Sequence, residues 1–368
     1  MTKVRMAQAL SIARVEMRRA FFSKRGVWVY LLALLPFVIF FGHGIEIKLR
    51  EKRWAQSGLT ASQVLDNFNT GDRLEDVLKR APNPVAEHSW TDRNSDDEDR
   101  PGDDRKSRKT VSKAIRFLTY FDGQRAVDLT FADGVLEQKH FRTSKSLEED
   151  RKIFAGIFQY FYLRLAIFFG CLGIFMNLFR GEMLDKTLHF WFLTPVKREV
   201  LLAGKYMAGI VAATVIFGGG ALLGYAAMLW PHSGAEAQAF LQSGGWSHAF
   251  WYVSAAVLGC LGYGSVFLAA GLLLRNPIIP AAVILLLESI NAFMPAVLQK
   301  LSVLYYLQSL CPEAAPLDES SPILRLLLAP AAPASKSLAI LGLLIVTGLV
   351  LWAACSAVKR IEINYGTE

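Results

Sequence analysis

The sequence predicts an all-α polytopic membrane protein of six transmembrane helices, with a small α+β domain inserted between spans one and two. Three observations carry that reading: an excess of apolar residues, its concentration into six long runs, and the placement of the basic residues around them. Of 368 residues 53% are hydrophobic and the mean hydropathy is +0.30, whereas soluble domains are about 45 to 50% apolar with glycine counted.

The excess is uneven. Runs of mostly uncharged residues occur at 27–45, 153–179, 201–229, 249–274, 277–299 and 337–358. At 1.5 Å per helical residue each is long enough to cross a hydrocarbon core about 30 Å thick. The first run is preceded by a basic leader too long for a signal peptide, and "FFGHGIEIK" offers no small-residue cleavage site. The four cysteines, Cys171, Cys260, Cys311 and Cys355, are far apart and show no disulfide or metal spacing.

Charge sets the topology. Residues 46–152 hold 21 Lys and Arg against 21 Asp and Glu, which leaves 19 against 11 in the remainder. The surplus lies before span one, in 180–200 between spans two and three, after span four and in the tail 359–368. By the positive-inside rule these segments and both termini are cytoplasmic, while the neutral block 46–152 is outside. A protein so charged at membrane borders is not a nucleic-acid binder; its partner here is the lipid bilayer.

Each segment then has a reading. In the leader, 1–26, Met6, Leu10, Ala13, Met17, Ala20 and Phe21 recur at helical spacing beside Arg5, Arg14, Arg18 and Arg19, which predicts a basic amphipathic helix in the interface. In the outer block 46–152, residues up to about Arg80 are partly helical. Residues 91–109 are a disordered acidic and basic linker, and 115–142 alternate as a three-stranded β-meander with turns at Asp122-Gly123 and Asp133-Gly134. The proline-rich segment 300–336 holds apolar pieces too short to span. These are expected to form re-entrant or interfacial elements.

No catalytic signature is present: neither a phosphate loop, a G-x-S-x-G elbow nor an H-E-x-x-H pair. No metal ligands or cofactor are expected on this chain, and it is read as non-catalytic. Charged residues inside spans, which cost roughly 3 kcal/mol each at the bilayer centre, are the remaining signal. Arg164 lies about 22 Å above the end of span two, Glu288 about 17 Å from the end of span five, and Asn291 follows Glu288 by one turn. These three are the pathway candidates. Arg164 and Glu288 are close enough in depth to pair; equally, Arg164 can snorkel outward while Glu288 is protonated or bonded to nearby backbone. As an ion or proton site, Glu288 would fit an ion-coupled secondary transporter or channel, although no inverted repeat accompanies it.

The stretch between spans two and three, "FRGEMLDKTLHFWFLTPVKREVLLAGK", is too long and patterned for a simple turn. Leu184, Leu188, Trp191 and Phe192 share one helical face, Glu182, Asp185 and Lys186 lie on others, and Thr194-Pro195 ends the helix. It resembles the segment E-x-x-x-G-T-L-x-x-L-L-x-T-P-V-x-R-x-x-x-L-x-G-K of the ABC-2 type permeases of ATP-binding cassette transporters. Glu182, Thr187, Leu188, Thr194, Pro195, Val196, Arg198, Leu202, Gly204 and Lys205 match, and Lys186 replaces the usual Gly. The leader, "LLLRNP" after span four, "LYYLQSL" before the last span and the basic ending are similar too.

The resemblance implies a permease subunit in the cytoplasmic (inner) membrane, paired with itself or a paralogue and bound to a separate ABC ATPase that holds ATP and Mg²⁺. It implies that residues 182–195, with Glu182, Asp185, Thr187, Leu188, Trp191, Phe192, Thr194 and Pro195, form the coupling helix. It further implies that spans two and five, with Arg164, Glu288 and Asn291, face the pathway. Export is the expected direction; mechanical remodelling of the envelope is the alternative within the class.

Overall fold

The computed structural model describes residues 2–22, 26–55, 68–82, 84–93, 112–121, 125–143, 146–184, 193, 196–232, 234–274, 278–290, 299, 302–314 and 333–359. The chain divides into two compact units, Met1–Phe41 with Glu149–Glu368, and Gly42–Glu148.

The first unit is helical. Helix α1 covers Thr2–Phe22 and α2 covers Val27–Ala55, well past the predicted end of span one. Span two is a continuous rod, α4, that runs as Leu147–Gly156, a π-helical stretch Ile157–Ala166 and Ile167–Leu184; α3 belongs to the other unit, below. Span three, α5, runs as Arg198–Ala213, a π turn Thr214–Gly218 and Gly219–Leu229. Span four, α6, runs as Gly234–Phe240, Leu241–Gly245 and Trp246–Leu273, with a kink at Gly244, whose φ of 135° only glycine adopts without strain. Then follow α7 (Ile278–Ile290), α8 (Val303–Leu310) and α9 (Lys336–Val358).

Among the described residues five helices, α2, α4, α5, α6 and α9, are long and apolar enough to cross a membrane, and the chain is a multi-pass membrane protein. The predicted fifth span is represented by the shorter α7, because 291–298 lie outside the described residues. The centre of the unit is α6, which packs on α4 and α9. It is lined by Ala255, Ala256, Gly259, Cys260 and Gly264. Small residues let neighbouring backbones approach, as membrane helices require when hydrophobic burial gives no net drive. The Phe217 ring lies so close to Gly170 that an added Cβ would fall 2.0 Å from its Cζ.

An aromatic cluster of Phe40, Phe154, Phe158, Tyr225 and Tyr252 fills the half of the bundle nearer the start of α4. Leu31, Leu349 and Trp352 are exposed on α2 and α9, the outer helices of the bundle.

The leader is helical as expected, and one side of it packs on protein. Ala9, Ile12, Ala13 and Glu16 are packed, whereas Met6 and Leu10 of the predicted apolar stripe are 75% and 63% exposed. Protein selects the side of small residues because α5 is close, and the larger apolar side chains are left to the surroundings.

The second unit is an antiparallel sheet of β1 (Ala86–Arg93), β2 (Ser112–Phe121), β3 (Arg125–Ala132) and β4 (Val135–Thr143), in that order, with α3 (Leu74–Arg80). The expected meander is β2–β4. It is extended by a strand that local pattern does not reveal, since Thr91 to Arg93 at its end carry the charge and polarity of the predicted linker. The remaining linker residues, 94–109, lie outside the described residues. Leu118 pairs with Leu129 and Tyr120 with Val127, and these side chains meet Val77 of α3 and Phe68 in one core. Asp133 and Gly134, both at positive φ, make the last hairpin turn as their residue types predict.

Tyr120 donates its hydroxyl proton to the Ala81 carbonyl at 2.8 Å in this core. Burial, and then the nearby Glu87 carboxylate, push its phenol from an ordinary value of 10 up to about 12. A folded-state pKa above the unfolded one means stability complete below pH 10 and lost as the pH climbs from 10 to about 12. Unfolding of the sheet unit in the full chain should therefore become easier over that window, and less steeply so in Tyr120→Phe; equal pH slopes for the two proteins would contradict this.

Candidate functional site

Among the described residues of the helical unit, charged groups gather in three places. The first joins the ends of α1, α4 and α5. Lys205, on the second turn of α5, is completely buried, with its ammonium 2.9 Å from Glu16 Oε1 on α1 and 2.9 Å from Glu182 Oε1 on α4. It also donates to the Leu178 carbonyl at 2.9 Å. Three acceptors thus meet the three protons of one ammonium. The neighbouring Gly204 makes this possible, because a Cβ there would lie 2.8 Å from the Ala9 carbonyl oxygen and 2.9 Å from Ile12 Cβ. The two residues of the Gly-Lys pair that ends the patterned stretch thus act differently, Gly204 admitting α1 and Lys205 fastening it.

Nearby, Arg198 donates to the carbonyls of Val358 and Lys359, and Lys359 pairs with Glu199 at 2.6 Å. The end of α9 is thereby tied to the start of α5. Of the residues assigned to the coupling helix, Glu182 is held in the triad. Asp185, Thr187, Leu188, Trp191, Phe192, Thr194 and Pro195 lie outside the described residues.

The second cluster is at mid-bundle. Glu288 is 6% exposed, and its carboxylate accepts from the Ser302 hydroxyl and from the Val303 amide at 3.1 Å. Ser302 in turn accepts from the Tyr305 amide. Both side chains therefore cap the N-terminus of α8, where orphan amides and the helix dipole favour a negative group. Tyr263 of α6 brings a buried hydroxyl beside the same carboxylate.

Arg164, inside the π-helical stretch of α4, reaches this turn through the backbone: it donates to the Glu288 carbonyl at 3.2 Å. The two residues are neighbours, as their depths suggest, but the Glu288 carboxylate serves α8. Asn291 lies outside the described residues.

The third cluster is at the opposite end from Lys205, and sequence reasoning did not find it. Arg151 on α4 donates its Nε to Glu313 Oε1 at 2.7 Å and stacks 4.4 Å above the Phe240 ring. His248 Nδ1 is 3.5 Å from the same oxygen, and Gln159 donates to the Glu313 carbonyl. Asp150 and His232 meet at 2.9 Å. Residues from α4, α6 and the segment after α8 are brought together, separated by up to 162 positions in sequence, and no local pattern signals such pairs.

Glu16 could have been found: it is the only acidic residue before Glu46, set among the apolar residues of a basic leader. Among the described residues no three His, Cys, Asp or Glu side chains are grouped to hold a metal. Comparisons of the chain with protein-family models, with curated proteins and with solved structures match none of them.

Lys205→Met would leave two carboxylates buried without their cation, and should destabilise the protein by roughly 3 to 5 kcal/mol. Adding Glu16→Gln and Glu182→Gln should recover much of that loss in thermal melts of the purified protein; no recovery would mean that the triad is not what holds α1. At mid-bundle, the exchange Arg164→Glu with Glu288→Arg should be no more stable than either single change, since the native carboxylate caps α8. Rescue by the exchange would establish a direct ion pair instead.

Proposed function

We propose that this chain is the non-catalytic, membrane-spanning permease subunit of an ABC-2 type transporter, moving a substrate, outward in our reading, with ATP hydrolysed by a separate subunit. The chain would pair with itself or a paralogue in the cytoplasmic membrane, its termini and the 180–200 segment on the cytoplasmic side. ATP and Mg²⁺ would be held by the ATPase partner.

The observation that carries this reading is the patterned stretch 179–205 together with the way its roots are held. Glu182 at one root and Lys205 at the other share one buried ion pair, and Glu16 of the leader shares it too. A segment anchored in this way delivers a push to α1, α4 and α5 as one body. That is the mechanical property a docking element needs if ATPase closure is to rearrange the spans, because packed helices shift between discrete arrangements instead of deforming continuously.

Arg164 and Glu288 would adjoin the pathway as the elements that hold α8. The use of the Glu288 carboxylate as a helix cap favours this positioning role over that of a transported-ion site, and so favours the permease over an ion-coupled transporter.

The test is co-purification. The chain should carry an ATPase subunit with it, and converting Leu188, Trp191 and Phe192 to Asp should abolish the association while leaving the chain folded in detergent. ATP-independent transport by the chain alone in proteoliposomes would overturn the proposal.

A further inference from the structure

Alongside the contact of α1 with Gly204, a cavity of about 480 Å³ lies between α1, α5 and α6. That is within the size range of small-molecule sites, roughly 300 to 1,000 Å³. Its walls include Leu10 and Met17 of α1, Met207 and Ile210 of α5, and Leu261 of α6. The Tyr206 hydroxyl, which could have made the wall polar, donates to the Leu261 carbonyl at 2.9 Å.

One charged residue lines the cavity. Arg14 is exposed and, among the described residues, makes no ion pair or hydrogen bond. Leu10 and Val211 at the margin are 63% and 44% exposed, so apolar surface continues outward from the cavity. Tyr206 stands about 12 Å along α5 from Arg198 at helical rise, which puts the cavity near the border of the span, where acyl chains meet headgroups.

The geometry points to a discrete binding site for one anionic phospholipid, with an acyl chain between α1 and α5 and its phosphate on the Arg14 guanidinium. Shape and charge both select this occupant. The walls are apolar and open toward the lipid-facing surface, and the cation that lines them is a planar donor fork suited to phosphate oxygens. A bound lipid would fill the space beside the α1 and α5 contact and restrict α1 to its present orientation. The site needs only a membrane and the cavity, whether or not the chain is a permease.

Native mass spectrometry of the full chain after a delipidating detergent wash tests it, using phosphatidylglycerol and phosphatidylcholine with matched acyl chains. One phosphatidylglycerol should remain bound per chain and should outcompete phosphatidylcholine. Arg14→Ala should weaken phosphatidylglycerol binding about fivefold, the factor that corresponds to about 1 kcal/mol per basic residue near an anionic surface, and Arg14→Lys should keep most of it. Val211→Trp, which narrows the margin without touching the charge, should weaken both lipids. Equal retention of the two lipids, or equal retention by wild type and Arg14→Ala, would overturn the site. So would disulfide cross-linking of two chains through Leu10→Cys, which would show that a second copy covers the cavity.

Discussion

The arrangement of the helical unit depends on one buried ammonium. Taking a lysine out of water costs several kcal/mol even after relaxation, so Lys205 is tolerated only while Glu16, Glu182 and the Leu178 carbonyl surround it. The constraint acts in both directions. A leader that could lie anywhere in the interface is held at one register, since sliding α1 by a single residue would turn Glu16 away from the ammonium and take Ala9 and Ile12 off Gly204. Specificity of placement, more than stability, is what a buried ionic cluster contributes here. Replacing all three members by apolar residues could preserve the fold while losing the register.

At mid-bundle the same physics appears in another form. A helix that begins inside the bundle exposes amides that no water can reach, and each would cost several kcal/mol unsatisfied. Glu288 and Ser302 meet this need for α8, and Arg164 binds the carbonyl of the residue that supplies the cap. The Glu288 carboxylate is therefore explained as a helix cap. Arg164 stands in a π-helical stretch, and such stretches shift the hydrogen-bond register and are frequent where a helix serves a function. The bundle is consequently ordered at both levels by carboxylates: one pair on an ammonium at the basic end, one on helix amides in the middle. Arg151 and Glu313 add a third fastening at the far end.

These fastenings bear on how force could travel. The 180–200 segment leaves α4 just beyond Glu182 and returns shortly before Lys205, so motion imposed on it meets α1, α4 and α5 together. The same two helices, α4 and α5, are in close contact further along, where the Phe217 ring lies against Gly170. The anionic lipid proposed beside α1 would stiffen the same corner from the membrane side.

What the sequence determined by itself was whatever repeats locally. Hydropathy over twenty residues defined the long apolar helices, because a bilayer imposes length and apolarity on every span. Alternation and the Asp133-Gly134 turn defined β3 and β4, alternation alone defined β2, and the stretch 179–205 stood out by its pattern. Local pattern misled where two environments compete for one element: Thr91 to Arg93 look like linker yet pair in a sheet. On α1 the apolar stripe of Met6 and Leu10 is exposed, as suits an interfacial face, while α5 takes the side of Ala9 and Ile12, which the pattern did not single out. Only the tertiary structure decided the partners of the charges. Glu16 and Lys205 are 189 residues apart, and Arg151 and Glu313 are 162 apart. Coulomb attraction and desolvation depend on distance in space, which sequence spacing does not encode beyond a turn or two of helix.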